Sequence, residues 1–129
     1  MKALIVIHSF VVYGKKILLI KRIPTDLYHP NLWECPGGKL DEGENFFCGM
    51  KREILQETGF SVEPVSPIMC ADSYVIHDGR YAGMTYICMF NIAKIVGGKI
   101  AISNEHNAFA WVSYPEMLKY NLTPETRNA

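Results

Sequence analysis

Residues 37–60 read GGKLDEGENFFCGMKREILQETGF, and this stretch decides the fold. Asn45 can cap a helix start, and Phe47, Met50 and Ile54 recur at the spacing of a buried helical stripe. Gly59 stands where a left-handed C-terminal cap belongs. The pattern predicts a helix over 45–58. Gly49 inside it costs up to about 1 kcal/mol against alanine, so either something packs closely there or the helix bears the loss.

Beside the apolar stripe, Glu53, Gln56 and Glu57 fall within an arc of roughly 100°. Two carboxylates and an amide oxygen at i, i+3 and i+4 offer several hard oxygen donors to one point. Like charges there repel by a few tenths of a kcal/mol per pair unless a cation sits between them. Magnesium and manganese take such ligands. Alone, this pattern is more often a solvated helix face. The preceding segment changes that reading. Gly37-Gly38 lets backbone approach a ligand closely, and the loop Lys39 to Glu44 returns the chain to the helix start. Glu44 complements the positive end of the helix dipole and can reach a basic partner such as Arg52. A glycine-lined bend and an acidic helix face converge, and a cation with open positions there suits a phosphate ligand.

Working outward, residues 3–13 and 17–22 are rich in aliphatic and aromatic residues, with Tyr13 to Lys16 as a hairpin turn. Pro24 and Pro30 make 23–31 a loop, and Cys35-Pro36-Gly37-Gly38 is expected to interrupt regular structure. Strand-like runs at 67–77 and 81–95 flank a turn at His77-Asp78-Gly79-Arg80, and Gly97-Gly98 is expected to break the next element. Ala108 to Val112 reads as a short strand and Pro115 to Leu118 as the start of a short helix. Residues 123–129 are expected to be loose. The sum is a mixed sheet with one strong helix, an α+β or α/β sandwich.

Composition bounds the function. With 129 residues and 14.6 kDa, the expectation is one domain over 1–129, large enough to fold without staples. Apolar residues at 49% and charged residues at 20% exclude wholesale disorder. Thirteen basic against thirteen acidic residues argue against extended nucleic acid or an anionic membrane as partner, while leaving room for a small phosphate ligand. Cys35, Cys48, Cys70 and Cys88 have no metal-knuckle spacing and read as reduced thiols. The apolar run Ala3 to Ile7 is too short for a signal peptide, and no run approaches the length of a bilayer crossing. A soluble, cytoplasmic protein is expected.

The glycine-to-helix stretch resembles the Nudix box of the MutT-like hydrolases. Gly38, five residues, Glu44, seven residues, then Arg52-Glu53-Ile54-Leu55-Gln56-Glu57-Thr58-Gly59-Phe60 meet eight of its nine specified positions. Six fixed residues at fixed spacing arise by chance at a given start with probability on the order of 10⁻⁷ from average usage. Leu32 to Gly37 also looks like the family's lead-in. The resemblance implies an α/β/α sandwich with a mixed β-sheet. It also implies a divalent-metal-dependent hydrolase of a nucleoside diphosphate linked to a further group, in which water attacks at phosphorus. It casts Glu53, Glu57 and the Gly38 carbonyl as metal ligands, with Mg²⁺ as cofactor and Mn²⁺ as a substitute. Glu53 would also orient or deprotonate water, Arg52 would hold the carboxylates, and Glu44 would anchor the loop. Gln56 departs from the box, because a glutamate is expected there. Its amide oxygen can still bind a cation but brings no charge, which predicts fewer or weaker metal ions and leaves a non-catalytic nucleotide sensor as the alternative. In many family members a further acid comes from a distant loop, which makes Glu105 the candidate ligand or general base; His106 beside it reads as structural or exposed.

Other residues are open. Arg22, at a strand end, Gly37, Gly38 and Lys39 are candidates for substrate phosphates, against a reading of the Lys15–Arg22 cluster as an exposed hairpin. Trp33 and Trp111 fit the core better than base stacking, and Tyr74, Tyr81 and Tyr86 are not separable as base or sugar contacts. A small nucleotide is the expected partner, and a homodimer is compatible with the sequence.

Overall fold

The computed structural model describes residues 2–129. Eleven elements follow in order: β1 (Ala3–Tyr13), β2 (Lys16–Arg22), β3 (Trp33–Glu34), β4 (Gly37–Lys39), α1 (Phe46–Thr58), β5 (Phe60–Pro64), β6 (Met69–Val75), β7 (Thr85–Gly98), β8 (His106–Val112), α2 (Tyr114–Met117) and α3 (Pro124–Asn128). All eight strands form one mixed sheet. At its centre β1 and β7 run parallel from Ala3 opposite Thr85 to Val12 opposite Lys94. The other pairings are antiparallel: β2 with β1, β3 and β8, β4 with β1, and β5 and β6 with successive halves of β7.

Alternation along the strands divides the core. Ile7, Val11, Leu18, Ile20, Val62 and Ala93 face Met50 and Ile54 of α1. Leu19, Cys88, Phe90 and Val112 point the other way, toward Met117 and Leu122 around α2 and α3. Helices therefore cover both faces, which is the α/β/α sandwich expected from the sequence. One polar chain crosses the α1 side, where Ser9 donates to Asn91 and the Asn91 amide lies 3.0 Å from Met50 Sδ.

Several sequence expectations are corrected. β7 begins at 85, because residues 76–84 form a longer loop closed by Gly83 N–H to the Ile76 carbonyl. It continues through Gly97 and Gly98, which pair with Ser61 and Phe60 of the unexpected strand β5. Gly37-Gly38 belongs to a short strand, since β1 supplies a ladder for it. Phe47 is partly exposed, so the buried stripe of α1 is carried by Met50 and Ile54. The C-terminal segment is held in place. Thr123 caps α3 through Thr126 N, both threonines are buried, and Thr126 Oγ1 accepts from Cys35 N at 3.1 Å.

Candidate active site

The site is built where β4 passes into α1. Asn45 Oδ1 accepts from Phe47 N at 2.9 Å to start the helix, and Gly59, at φ +81°, ends it. Gly37 and Gly38 lie opposite His8 and Ile7 in β1. A Cβ on Gly37 would strike the Ile7 carbonyl, and a Cβ on Gly38 would strike the Glu53 carboxylate. Close approach demands both glycines. Gly37 N–H donates to Glu57 Oε1 at 2.8 Å, so the bend and the helix are joined through a carboxylate.

Arg52 ties the loop to the helix. Its Nε and Nη2 donate to the two Glu44 oxygens at 2.7 and 2.9 Å, and Nη1 donates to Glu53 Oε1 at 2.9 Å and Gln56 Oε1 at 3.3 Å. Nη2 also reaches the Lys39 carbonyl at 3.2 Å. This hub, with the Asp41 N–H, holds the Glu44 carboxyl down to about 2. Gly49 is explained here too, because a Cβ would meet Leu40 Cδ1 and lie 2.8 Å from Glu44 Oε1. The loop packs on the helix at the one residue that leaves space for it.

The other two helix acids behave differently. Burial raises the Glu53 carboxyl above its usual range against the pull of Arg52. Burial, and then the charge of Glu34, raises Glu57 further. Glu105, on an exposed loop, adds its negative charge at both. Among the described residues no lysine, arginine or histidine forms an ion pair with Glu57, which receives the Gly37 N–H instead. Two half-buried or buried carboxylates that resist ionisation, one turn apart beside a bend, are the donor set that a hard divalent cation would neutralise. The residues fit such an ion.

The sequence model of the NUDIX domain matches residues 4–129, nearly the whole chain. The chain belongs to the Nudix family. It is a Nudix hydrolase, of a class that uses a divalent metal. The nucleoside triphosphatase NudI of Salmonella heidelberg is 27% identical over 116 residues, covering 86% of this chain and 82% of that protein. The 8-oxo-dGTP diphosphatase of Buchnera aphidicola is 49% identical over 35 residues, 27% of this chain and 28% of that one. The crystal structure of the MutT protein from Methanosarcina mazei superposes with a TM-score of 0.76 at 23% identity, covering 98% of this chain and 88% of that one; this likeness concerns the fold.

Around the Nudix helix, the remaining sequence candidates fall into two groups. Lys39 is exposed, with Nζ 5.5 Å from the Tyr81 ring centroid. Gln56 is exposed and engaged by Arg52. Arg22 is drawn inward, its Nη1 donating to Glu34 at 3.0 and 3.2 Å and its Nη2 to Asp26 at 3.0 Å. Trp111 packs with Tyr13 and Phe60, Trp33 with Tyr120, and Tyr74 stacks on Tyr86 at 4.8 Å.

Glu34 escaped the sequence reading. It is 3% exposed and accepts from Arg22 and from His106 Nε2, the latter at 2.8 Å. Burial pushes its carboxyl up, but the His106 hydrogen bond and the charges of His8 and Arg22 outweigh that and keep it low. Ligand atoms of Glu34, Glu57 and His106 lie within 4.8 Å of one another. The available signal was a lone acid inside the apolar run before Gly37. His106, read from the sequence as structural or exposed, is buried.

Proposed function

We propose that this chain is a divalent-metal-dependent pyrophosphohydrolase of nucleoside triphosphates or related nucleoside diphosphate derivatives. The observation that carries the reading is the pairing of Glu53 and Glu57, one helical turn apart, with raised carboxyls and, among the described residues, no lysine, arginine or histidine paired with Glu57. The nucleoside triphosphatase and 8-oxo-dGTP diphosphatase activities named for the relatives support the substrate class.

Glu53, Glu57, Gln56, Glu105 and the Gly38 carbonyl would hold the ion, taken to be Mg²⁺ with Mn²⁺ as substitute. Such an ion supplies charge neutralisation for the diphosphate and Lewis acidity when bound. The chain's own residues do the rest. Arg52 fixes Glu53 in place through Nη1 while gripping Glu44, so the loop and the carboxylate move as one body. Gly37 N–H fixes one Glu57 oxygen and leaves the other for a ligand. Glu53, held by Arg52 and with its carboxyl raised above the usual range by burial, is the group suited to accept a proton from an attacking water. Lys39, exposed beside the bend, is placed to meet phosphate charge.

The test is release of pyrophosphate or phosphate from a panel of nucleotides with Mg²⁺ or Mn²⁺, run beside Glu57→Gln. Turnover that the variant abolishes supports the reading. Binding across the panel without release would replace it with a nucleotide sensor, a reading motivated by the neutral Gln56.

A further inference from the structure

Glu105 is exposed, yet the backbone that carries it is fastened on three sides. Ala101 N–H donates to the Thr58 carbonyl at 2.8 Å and Ser103 N–H to the Glu57 carbonyl at 3.0 Å, which stitches the loop to the C-terminal end of α1. The Glu105 carbonyl accepts from Ile23 N–H at 3.1 Å, beyond the end of β2. The third fastening is a side chain. His106 is 5% exposed, its Nε2 lies 2.8 Å from Glu34 Oε2, and its Nδ1 lies 3.2 Å from Ser103 Oγ.

The carboxylate can only accept, so Nε2 carries the proton toward Glu34. In the neutral ring Nδ1 is then left to accept from the Ser103 hydroxyl, and both ring nitrogens are satisfied. Glu34 is itself immobilised by two hydrogen bonds from Arg22 Nη1, and Arg22 by Asp26. Glu34 stands at the end of β3, three residues before Gly37, whose N–H holds Glu57. The imidazole therefore connects the strand that leads into the bend with the loop that presents Glu105.

We propose that His106 and Glu34 form a positioning pair that fixes Glu105 against the Glu53 and Glu57 carboxylates, through the buried Nε2–H to carboxylate bond and the Ser103 hydroxyl. The inference rests on the proposed role of Glu105 as a ligand or base in hydrolysis. His106 and Glu34 act through Glu105 and do not touch substrate.

The experiment is a double-mutant cycle between His106→Gln and Glu105→Gln, with His106→Leu as a harsher second variant and Ser103→Ala as a milder one. Two readouts are taken on each protein: Mn²⁺ affinity of the protein without nucleotide, and kcat and KM for the nucleotide turned over best. Loss of a positioning group beside a metal site costs about 10- to 100-fold in affinity or activity. His106→Leu is expected to weaken Mn²⁺ by at least about tenfold and to lower kcat by a similar factor with KM within about threefold. His106→Gln, which keeps a donor toward Glu34, is expected to recover part of the loss, and Ser103→Ala to lose less than His106→Leu. Glu105→Gln is expected to cost little more once His106 is replaced, because the two losses are one loss. Full additivity of the two substitutions would overturn the proposal while leaving the role of Glu105 intact. Silence of Glu105→Gln in the unaltered background would instead remove the role on which the inference rests. A His106 variant that melts earlier but binds Mn²⁺ and turns over normally at low temperature would show a purely structural residue and also overturn the proposal.

Discussion

Replacing Glu57 by glutamine exposes the electrostatics of the site most directly. In the folded chain the Glu57 carboxyl sits well above 4.5, first because burial penalises its charge and then because Glu34 is nearby. A folded value raised above the unfolded one means that stability from this group is fully present below about pH 4.5 and is lost as pH rises through the folded value. Each unit of separation is worth about 1.4 kcal/mol. Glutamine keeps an acceptor for the Gly37 N–H and removes the charge. Metal-free Glu57→Gln should therefore gain on the wild type as pH rises above about 4.5, until the folded value of Glu57 is passed. Divalent metal reverses the order, since an ion at one hundred times its Kd stabilises the wild type by about 2.7 kcal/mol. For a chain of this length, an unfolding entropy of about 2.1 cal/mol/K per residue turns that into a Tm shift of roughly 10 °C. Differential scanning calorimetry at pH 5 to 9, in chelator and in saturating Mg²⁺, reads both effects. A difference in Tm between variant and wild type that stays flat with pH in chelator would refute the assignment of a buried, charge-penalised carboxyl. An equal Mg²⁺ shift in both proteins would refute its place at the ion.

Further outcomes are expected. Gly38→Ala drives a methyl group into the Glu53 carboxylate and should lower turnover by at least about tenfold while far-ultraviolet circular dichroism stays unchanged. Gln56→Glu restores a missing charge on the helix face and should tighten Mn²⁺, measured by titration; an unchanged affinity would place Gln56 away from the ion. Thr126→Val keeps the shape but removes the hydroxyl that accepts from Cys35 N and from Thr123 Oγ1, leaving a buried N–H without a partner. That should cost about 1–3 kcal/mol in urea unfolding with the slope unchanged.

Glu53, Glu57, Arg52 and Glu44 could be found in the sequence because a helix converts spacing into direction. Residues at i, i+3 and i+4 share a face, and a cap at each end fixes where that face begins and stops. The hub around Arg52 likewise lies within one local segment. Strand β5 could not be found so readily, since Phe60 to Pro64 is only five residues long, starts directly after the helix cap at Gly59 and ends in proline, and it is held by pairing with β7. The C-terminal helix was missed for a similar reason. Its five residues gain their place from Thr126 meeting Cys35 across 91 positions.

What the sequence by itself determined is the Nudix glycine bend, its helix and the acids that helix presents, because local geometry alone sets those directions. The tertiary structure decided what surrounds them. It brought Glu34 from β3 and His106 from β8 to within hydrogen-bonding distance, turned Arg22 inward to them, and buried Glu57 enough to oppose its charge. Burial and long-range pairing depend on how eight strands close into one sheet, and no spacing along the chain encodes that distance.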